Sequence, residues 1–270
     1  MGELDRKALL EGLVEASQEA GRAILAIYSS DFAVSVKSDT SPVTEADTAA
    51  EAILLRALAK LAPGVVVVAE EECAAGRIPD VAEAFFLVDP LDGTKEFVLR
   101  RGDFTVNVAL VEHGRPTLGV VYAPARGAMY AADVAAGVAW ASEVGPQGEG
   151  ARRPIRVRQP GERLVVVASK SHSTPGTDAY LADFQVETRV SVGSSLKFCL
   201  VAAGEADLYP RPSPTCEWDT AAGHAVLSAA GGAVFGPDGA PLTYGKPNFF
   251  NPGFVACGPF DPKPIGPFID

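Results

Sequence analysis

The sequence is poor in the features that mark several large protein classes. Its longest apolar runs, such as residues 65–69, fall far short of the about 20 residues that span a bilayer. No basic start precedes an unbroken apolar stretch near Met1, so no signal peptide is expected there. Four cysteines, Cys73, Cys199, Cys216 and Cys257, are scattered without a CxxC pair or a dense framework, a usage that suits buried free thiols in a reducing cytoplasm. The three histidines, His113, His172 and His224, sit in unrelated contexts. No serine stands in a nucleophile elbow, so a Ser-His-Asp hydrolase has little support. A P-loop, internal repeats and low-complexity segments are absent too. Positive charge is scarce: 23 Lys and Arg against 34 Asp and Glu leave a net charge of −11, a balance that repels nucleic-acid polymers. A small anionic ligand suits such a chain if metal ions reverse the local sign.

What is present is an ordinary globular composition, 270 residues at 47% hydrophobic and 21% charged, enough for one large domain or two closely packed halves. Leu9, Leu10, Leu13, Val14, Ala20, Ile24 and Ile27 recur at helical spacing among Glu3, Asp5, Glu11, Glu15 and Glu19, which predicts an amphipathic helix over 5–28. A second helix over 44–61 is ended by Pro63-Gly64. Short apolar runs at 65–69, 84–88, 104–111, 117–122, 129–132 and 137–141, with turn chemistry at His113-Gly114 and 124–127, read as an antiparallel meander under helices. The polar, Gly/Pro-bearing stretch 145–154 is the candidate junction, dividing an α+β half (1–150) from an α/β half (151–270). In the latter, strands at 164–168, 188–192 and 207–209 alternate with helices at 177–184, 195–203 and 219–230.

Four acidic segments carry the chemistry. Asp89-Pro90-Leu91-Asp92-Gly93-Thr94 follows the apolar run 84–88 directly. Pro90 fixes one φ and Gly93 permits an unusual one, so both carboxylates can face a common point with the Leu91 carbonyl between them. Hard oxygens at that density suit Mg²⁺, Mn²⁺ or Ca²⁺, and no nearby His or Cys favours zinc. A helix starting near Lys95 would aim the Gly93 and Thr94 amides at a phosphate oxygen. Glu70-Glu71-Glu72 ends the run 65–69; Ser41-Pro42-Val43-Thr44-Glu45-Ala46-Asp47 opens the second helix; Trp218-Asp219-Thr220 opens the last. Each also has a plain reading as a turn, a solvated loop or a helix cap. Four such segments in one chain exceed what capping alone explains.

These segments resemble the signature of the lithium-sensitive, magnesium-dependent phosphatase superfamily that includes inositol monophosphatase and fructose-1,6-bisphosphatase. The resemblance covers nearly the whole chain. The longer phrases DPLDGTKEF at 89–97, GSSLKFCLVA at 193–202 and WDTAAGHAV at 218–226 are similar to the CysQ branch, the 3'(2'),5'-bisphosphate nucleotidases. The fold this implies is a layered αβαβα sandwich, α+β in its antiparallel-sheet N-terminal half and α/β in its C-terminal half. Carried over residue by residue, the resemblance implies metal ligation by Glu70, Asp89, Asp92, Asp219 and the Leu91 carbonyl. Thr94 and Asp47 match the pair that activates the attacking water, with Glu70 also counted among the catalytic carboxylates, and the Gly93 and Thr94 amides hold the phosphate. Glu71 matches a further acidic position, and Glu72 beside it blurs which carboxylate touches metal. The implied cofactor is Mg²⁺, two or three ions per site, with Mn²⁺ as a substitute. Paired divalent ions bridge phosphate oxygens, lower the pKa of bound water and stabilise the leaving alkoxide in an in-line displacement.

A bisphosphorylated nucleoside carries a second phosphate that needs other donors. By the same resemblance these are His172, Ser195, Lys197 and Arg211, each of which also reads as a surface or capping residue; Lys197 gains from its place at a helix start. The expected substrate is thus a small phosphate ester, adenosine 3',5'-bisphosphate or its sulfated precursor, a by-product cleared in sulfate assimilation. Inositol monophosphate and fructose 1,6-bisphosphate are the alternatives within the same chemistry, and a catalytically silent metal-binding regulatory protein is the alternative outside it. No nucleic-acid polymer and no integral membrane segment are expected. The location expected is cytoplasmic, with peripheral inner-membrane association left open, as is oligomeric state, a homodimer included.

Overall fold

The computed structural model describes residues 5–36, 42–168 and 174–269. Asp5 caps the first helix by accepting from the Ala8 amide at 3.0 Å, and α1 (Arg6–Tyr28) buries the apolar stripe that the spacing predicts. Strands β1 (Val34–Val36) and β2 (Pro42–Thr44) form a small antiparallel pair leading into α2 (Glu45–Leu61). Then come β3 (Val66–Ala69), the one-turn α3 (Glu70–Ala74), β4 (Ala84–Asp92) and the short α4 (Thr94–Val98). The meander follows as β5 (Thr105–Glu112), β6 (Arg115–Ala123), β7 (Ala128–Asp133), β8 (Val138–Gly145), β9 (Gly148–Glu149) and β10 (Arg153–Pro154). The remainder is β11 (Leu164–Ala168), α5 (Pro175–Leu181), β12 (Val186–Ser191), α6 (Leu196–Ala202), β13 (Leu208–Arg211), β14 (Thr215–Cys216), α7 (Ala221–Ala229), β15 (Ala233–Phe235), β16 (Phe250–Asn251) and β17 (Phe254–Cys257).

β3 to β10 make one eight-stranded sheet, antiparallel except where β3 runs parallel to β4. The second sheet has the order β12-β11-β13-β17-β15 and mixes parallel with antiparallel pairing. Three apolar clusters fill the gaps between five layers. One lies between α1/α2 and the first sheet, around Leu13, Ile24, Leu54, Phe86 and Val108. The middle one joins the other face of that sheet to α6, α7 and the second sheet, around Leu87, Val121, Phe198, Val226 and Phe254. A third covers the far face of the second sheet under α5, with Val166, Tyr180 and Ile265. This is the αβαβα sandwich. The first sheet continues through Pro154, because β10 pairs with β8.

The middle layer is thin because its residues are small. A Cβ on Gly119 of β6 would come within 2.5 Å of the Ala222 carbonyl, so α7, which begins Ala221-Ala222-Gly223, lies close on the sheet. That approach carries the start of α7, with Asp219 just before it, down onto the ends of β4 and β5.

Candidate active site

The site grows from an irregularity in β4. Asp89 and Asp92 are three residues apart, and in a regular strand that odd spacing would send them to opposite faces. Against β5, however, Asp89 pairs with Asn107 and Asp92 with Thr105, three steps on one strand facing two on the other. The extra residue is a β-bulge, and it returns Asp92 to the face of Asp89. The sequence reading placed these acids on a turn after the strand; the ladder instead continues through them to Asp92. Parallel pairing of Ala69 with Val88 sets the next residues, Glu70 and Asp89, side by side. Glu70 is the first residue of α3, where the reading expected only a strand end, and its carboxylate is hydrogen-bonded to Asp89.

Asp47 arrives from α2. Its Oδ2 accepts from the Thr44 amide and hydroxyl, both at 2.8 Å, completing a capping box. Its Oδ1 accepts from Thr94 Oγ1 at 3.2 Å, which places the expected Asp47–Thr94 pair in contact; the Leu91 carbonyl also lies 3.3 Å from that hydroxyl. The capping and catalytic readings of Asp47 are therefore not exclusive, since one oxygen serves each. Gly93 precedes α4 at φ 90°, in the left-handed region. A Cβ there would also strike Ser194 Oγ, whose hydroxyl lies 2.8 Å from the Asp92 carbonyl and 2.7 Å from that of Asp103.

The second half closes the site. Asp219 Oδ2 accepts from the Thr215 hydroxyl and from the Cys216 amide at 3.1 Å. Ser195, expected as a substrate contact, is buried, with Oγ donating to the Asp219 carbonyl at 2.8 Å and Asp92 Oδ2 at 3.3 Å. Lys197 is also buried: its ammonium donates to the Ser194 carbonyl at 2.6 Å and lies 5.3 Å from the centre of the Tyr209 ring. Arg211 ends β13; its Nη2 donates to the Pro214 carbonyl at 3.3 Å, and its buried Nε has no hydrogen-bond partner. His172 lies outside the described residues. Glu71 gives its amide to Glu51 Oε2 at 2.9 Å, and Glu72 is turned to Arg77 at 2.8 Å, which leaves Glu70 as the member of the triplet that meets Asp89.

Electrostatics show the four acids sharing one space. Burial, then the charges of Glu70, Asp92 and Asp219, push the Asp89 carboxyl well above the ordinary carboxylate range. Burial and Asp219 push Asp92 up to about 6, against the lowering effect of Lys197, Arg211 and the Ser195 hydrogen bond. Burial draws Lys197 down to about 8 while Asp92 supports its charge. Among the described residues no three acidic, His or Cys side chains stand arranged to chelate an ion as they are. The donor set is nonetheless all oxygen and mutually repelling, and Thr105 Oγ1, Asn107 Oδ1 and Asn107 Nδ2 are buried without partners on the strand facing Asp89 and Asp92. Hydrated hard cations fit that combination. Sequence reasoning missed Asn107, Thr105, Ser194, Asp103 and Thr215. Only Asn107 left a plain signal, an amide in the middle of an apolar strand.

Comparison with known proteins is consistent along the chain. The sequence model described as the inositol monophosphatase family matches residues 5–253. The 3'(2'),5'-bisphosphate nucleotidase CysQ of Escherichia coli K12 is 46% identical over 249 residues, 91% of this chain and 98% of that protein. The crystal structure of CysQ from Bacteroides thetaiotaomicron, a bacterial member of the inositol monophosphatase family, superimposes with a TM-score of 0.79 at 36% identity, covering 95% of this chain and 99% of the other. An inositol monophosphatase from Anabaena shares the fold at a TM-score of 0.72 and 24% identity, covering 94% and 91%.

Proposed function

This chain belongs to the inositol monophosphatase family, and from that premise we propose that it is a 3'(2'),5'-bisphosphate nucleotidase, which hydrolyses adenosine 3',5'-bisphosphate to AMP and phosphate, and the sulfated analogue by the same chemistry. The observation that carries the substrate class is the cationic pair set against the acid cluster. Lys197 and Arg211 both act on Asp92, which sets positive charge beside the acid cluster where a second phosphate, one that the metals do not neutralise, would be favoured. The likeness to the CysQ proteins supports the same reading. Four free thiols among the described residues suit a cytoplasmic enzyme, and no helix among the described residues is long and apolar enough to cross a membrane.

In this reading Glu70, Asp89, Asp92, Asp219 and the Leu91 carbonyl hold Mg²⁺, which when bound supplies Lewis-acid stabilisation of the phosphate and of the leaving oxygen. The protein's own part begins at Thr94. Because the Thr94 hydroxyl hydrogen points at Asp47 Oδ1 at 3.2 Å, the lone pairs of Oγ1 accept a hydrogen bond from the attacking water. As the water's proton passes to Oγ1, the Thr94 proton passes to Asp47, which ends as the neutral acid while the hydroxide attacks phosphorus. The Gly93 and Thr94 amides orient the phosphate, and Gly93 must lack a side chain for the 193–195 loop to approach. Arg211, whose guanidinium is tied to the Pro214 carbonyl and keeps Nε without a partner, supplies positive charge to the second phosphate, while buried Lys197 contributes its field and fixes the loop beneath.

Phosphate release from adenosine 3',5'-bisphosphate, inositol 1-phosphate and fructose 1,6-bisphosphate, each with and without Mg²⁺, tests the assignment. The bisphosphorylated nucleoside is expected to lead in kcat/KM by at least about tenfold, the worth of one charge-assisted contact, and only with Mg²⁺. A lead for inositol 1-phosphate would remove the nucleotidase reading. Thr94→Val, which keeps the side-chain shape, is expected to lower kcat by about 10²- to 10³-fold with KM little changed. An equal rise in KM would instead mark Thr94 as a binding residue.

A further inference from the structure

β5 faces the bulge with two polar residues that the mechanism above does not use. Asn107 is fully buried, directly opposite Asp89, and Thr105 is fully buried opposite Asp92. They are two residues apart on one strand and so share a face, the one that continues through Ala109 and Val111 into the middle core. Directly opposed residues hold their Cβ atoms about 4.5–5.5 Å apart, within hydrogen-bond reach for an amide and a carboxylate. Yet neither Asn107 Nδ2, nor Asn107 Oδ1, nor Thr105 Oγ1 has a partner. Buried polar atoms in folded proteins are satisfied in the great majority of cases, and an amide orphaned at both ends needs a reason. No apolar purpose supplies one, because the neighbouring positions on that face are Ala109 and Val111.

The ligand side of the same ladder is crowded with negative charge. Asp89 Oδ1 accepts from the Leu91 amide at 3.0 Å, and a carboxylate that meets a second amide hydrogen is held the more firmly in one orientation, while a carboxamide oxygen accepts from water that hydrates a cation. Asparagine offers both at once, where a second acid would add repulsion and an aliphatic residue would offer nothing. Resting on the metal-site reading given above, we propose that Asn107 is a positioning residue of that site: Nδ2 orients the Asp89 carboxylate and Oδ1 accepts from the water around the bound cations, with Thr105 serving Asp92 in the same way. Outer partners of this kind tune affinity by about 10- to 100-fold when lost.

The experiment compares the full-length parent with Asn107→Leu and Asn107→Ser. Mn²⁺ alone is titrated into each and the free ion followed by electron paramagnetic resonance, alongside melting curves in excess chelator. Asn107→Leu is expected to weaken Mn²⁺ binding by 10- to 100-fold while melting in chelator at or above the parent temperature, since two unsatisfied buried atoms are gone. Asn107→Ser, which keeps one hydroxyl, should fall between. Mn²⁺ affinity within about twofold of the parent for folded Asn107→Leu, a change too small for a lost hydrogen bond, overturns the proposal. If Asn107→Leu does not fold, parent-like affinity in Asn107→Ser overturns it equally. A parent that binds no Mn²⁺, or binds it unchanged after Asp89→Asn, refutes the metal site itself and takes this inference with it. Tight parental binding with an unaltered Leu variant refutes Asn107 alone.

Discussion

Asp89→Asn is expected to lower turnover by at least about a thousandfold while raising the melting temperature of the metal-free protein. Both effects come from one carboxylate. Asp89 is buried beside Glu70, and the charges of Asp92 and Asp219 act on it too, so its charge is opposed by its surroundings when no cation is present. An amide of the same shape removes the charge, keeps a hydrogen-bonding group toward Glu70, and relieves the repulsion; each kcal/mol relieved raises the melting temperature by about 2–4 °C for a chain of this size. Sites shaped for function commonly hold such instability in reserve. The same substitution takes a ligand from the centre of the cluster, and catalysis by charge stabilisation goes with it. Activity above about a tenth of the parent, more than removal of one such stabiliser allows, together with a lowered melting temperature, would assign Asp89 to the core instead.

The stabilisation given by Mg²⁺ should itself depend on pH, from almost nothing near pH 5 to roughly 5–10 °C near pH 7.5. Asp89 and Asp92 bind protons more strongly folded than unfolded, so the metal-free protein keeps their contribution below the ordinary carboxylate range. It loses that contribution as pH rises through about 6 for Asp92 and through the raised range of Asp89. Moving a carboxyl from its ordinary range to about 6 withdraws on the order of 3 kcal/mol, somewhat less for the partly solvated Asp92. Other groups titrate in the same window. Burial draws His224 down to about 3, which favours folding as pH rises toward 6.5, and burial raises Glu51 to about 7, which opposes it. Neither is proposed to ligate metal, so both cancel when melting in Mg²⁺ is compared with melting in chelator at each pH. A difference that stays constant from pH 5 to 7.5 would mean that the acids are neither buried together nor relieved by the ion.

The elements were legible where one periodicity governed the sequence. The stripe of α1 and the apolar runs of β4, β5 and β6 each state their structure locally, and the segments that carry Asp47, Asp89 and Asp219 could be marked for the same reason. The bulge could not be read, because it is defined by the partner strand: nothing in residues 89–92 alone says that β5 answers three residues with two. α3 was hidden by the brevity of its single turn after β3. Ser195 and Lys197 are readable as residues of the site, but their side chains turn inward, Ser195 to the Asp219 carbonyl and Asp92 and Lys197 to the Ser194 carbonyl, partners that only the assembled protein brings together. Asp103 shows the same limit. It is buried under Arg126 and accepts from the Gly193 amide at 3.2 Å, ninety residues away.

The placement of α7 between the two sheets governs when the pocket can exist during synthesis. Its acids stand at positions 47, 70, 89, 92 and 219, and the last rides on a helix that must settle against β5 and β6 from the opposite side. A nascent chain emerging from the ribosome can pair β3 through β8 well before Asp219 has been made. Until that helix docks, the early acids remain open to water, which disperses their charge at little cost. Ion capture is thereby tied to completion of the fold, and a ribosome stalled before residue 219 would expose an acidic sheet edge without a working phosphatase.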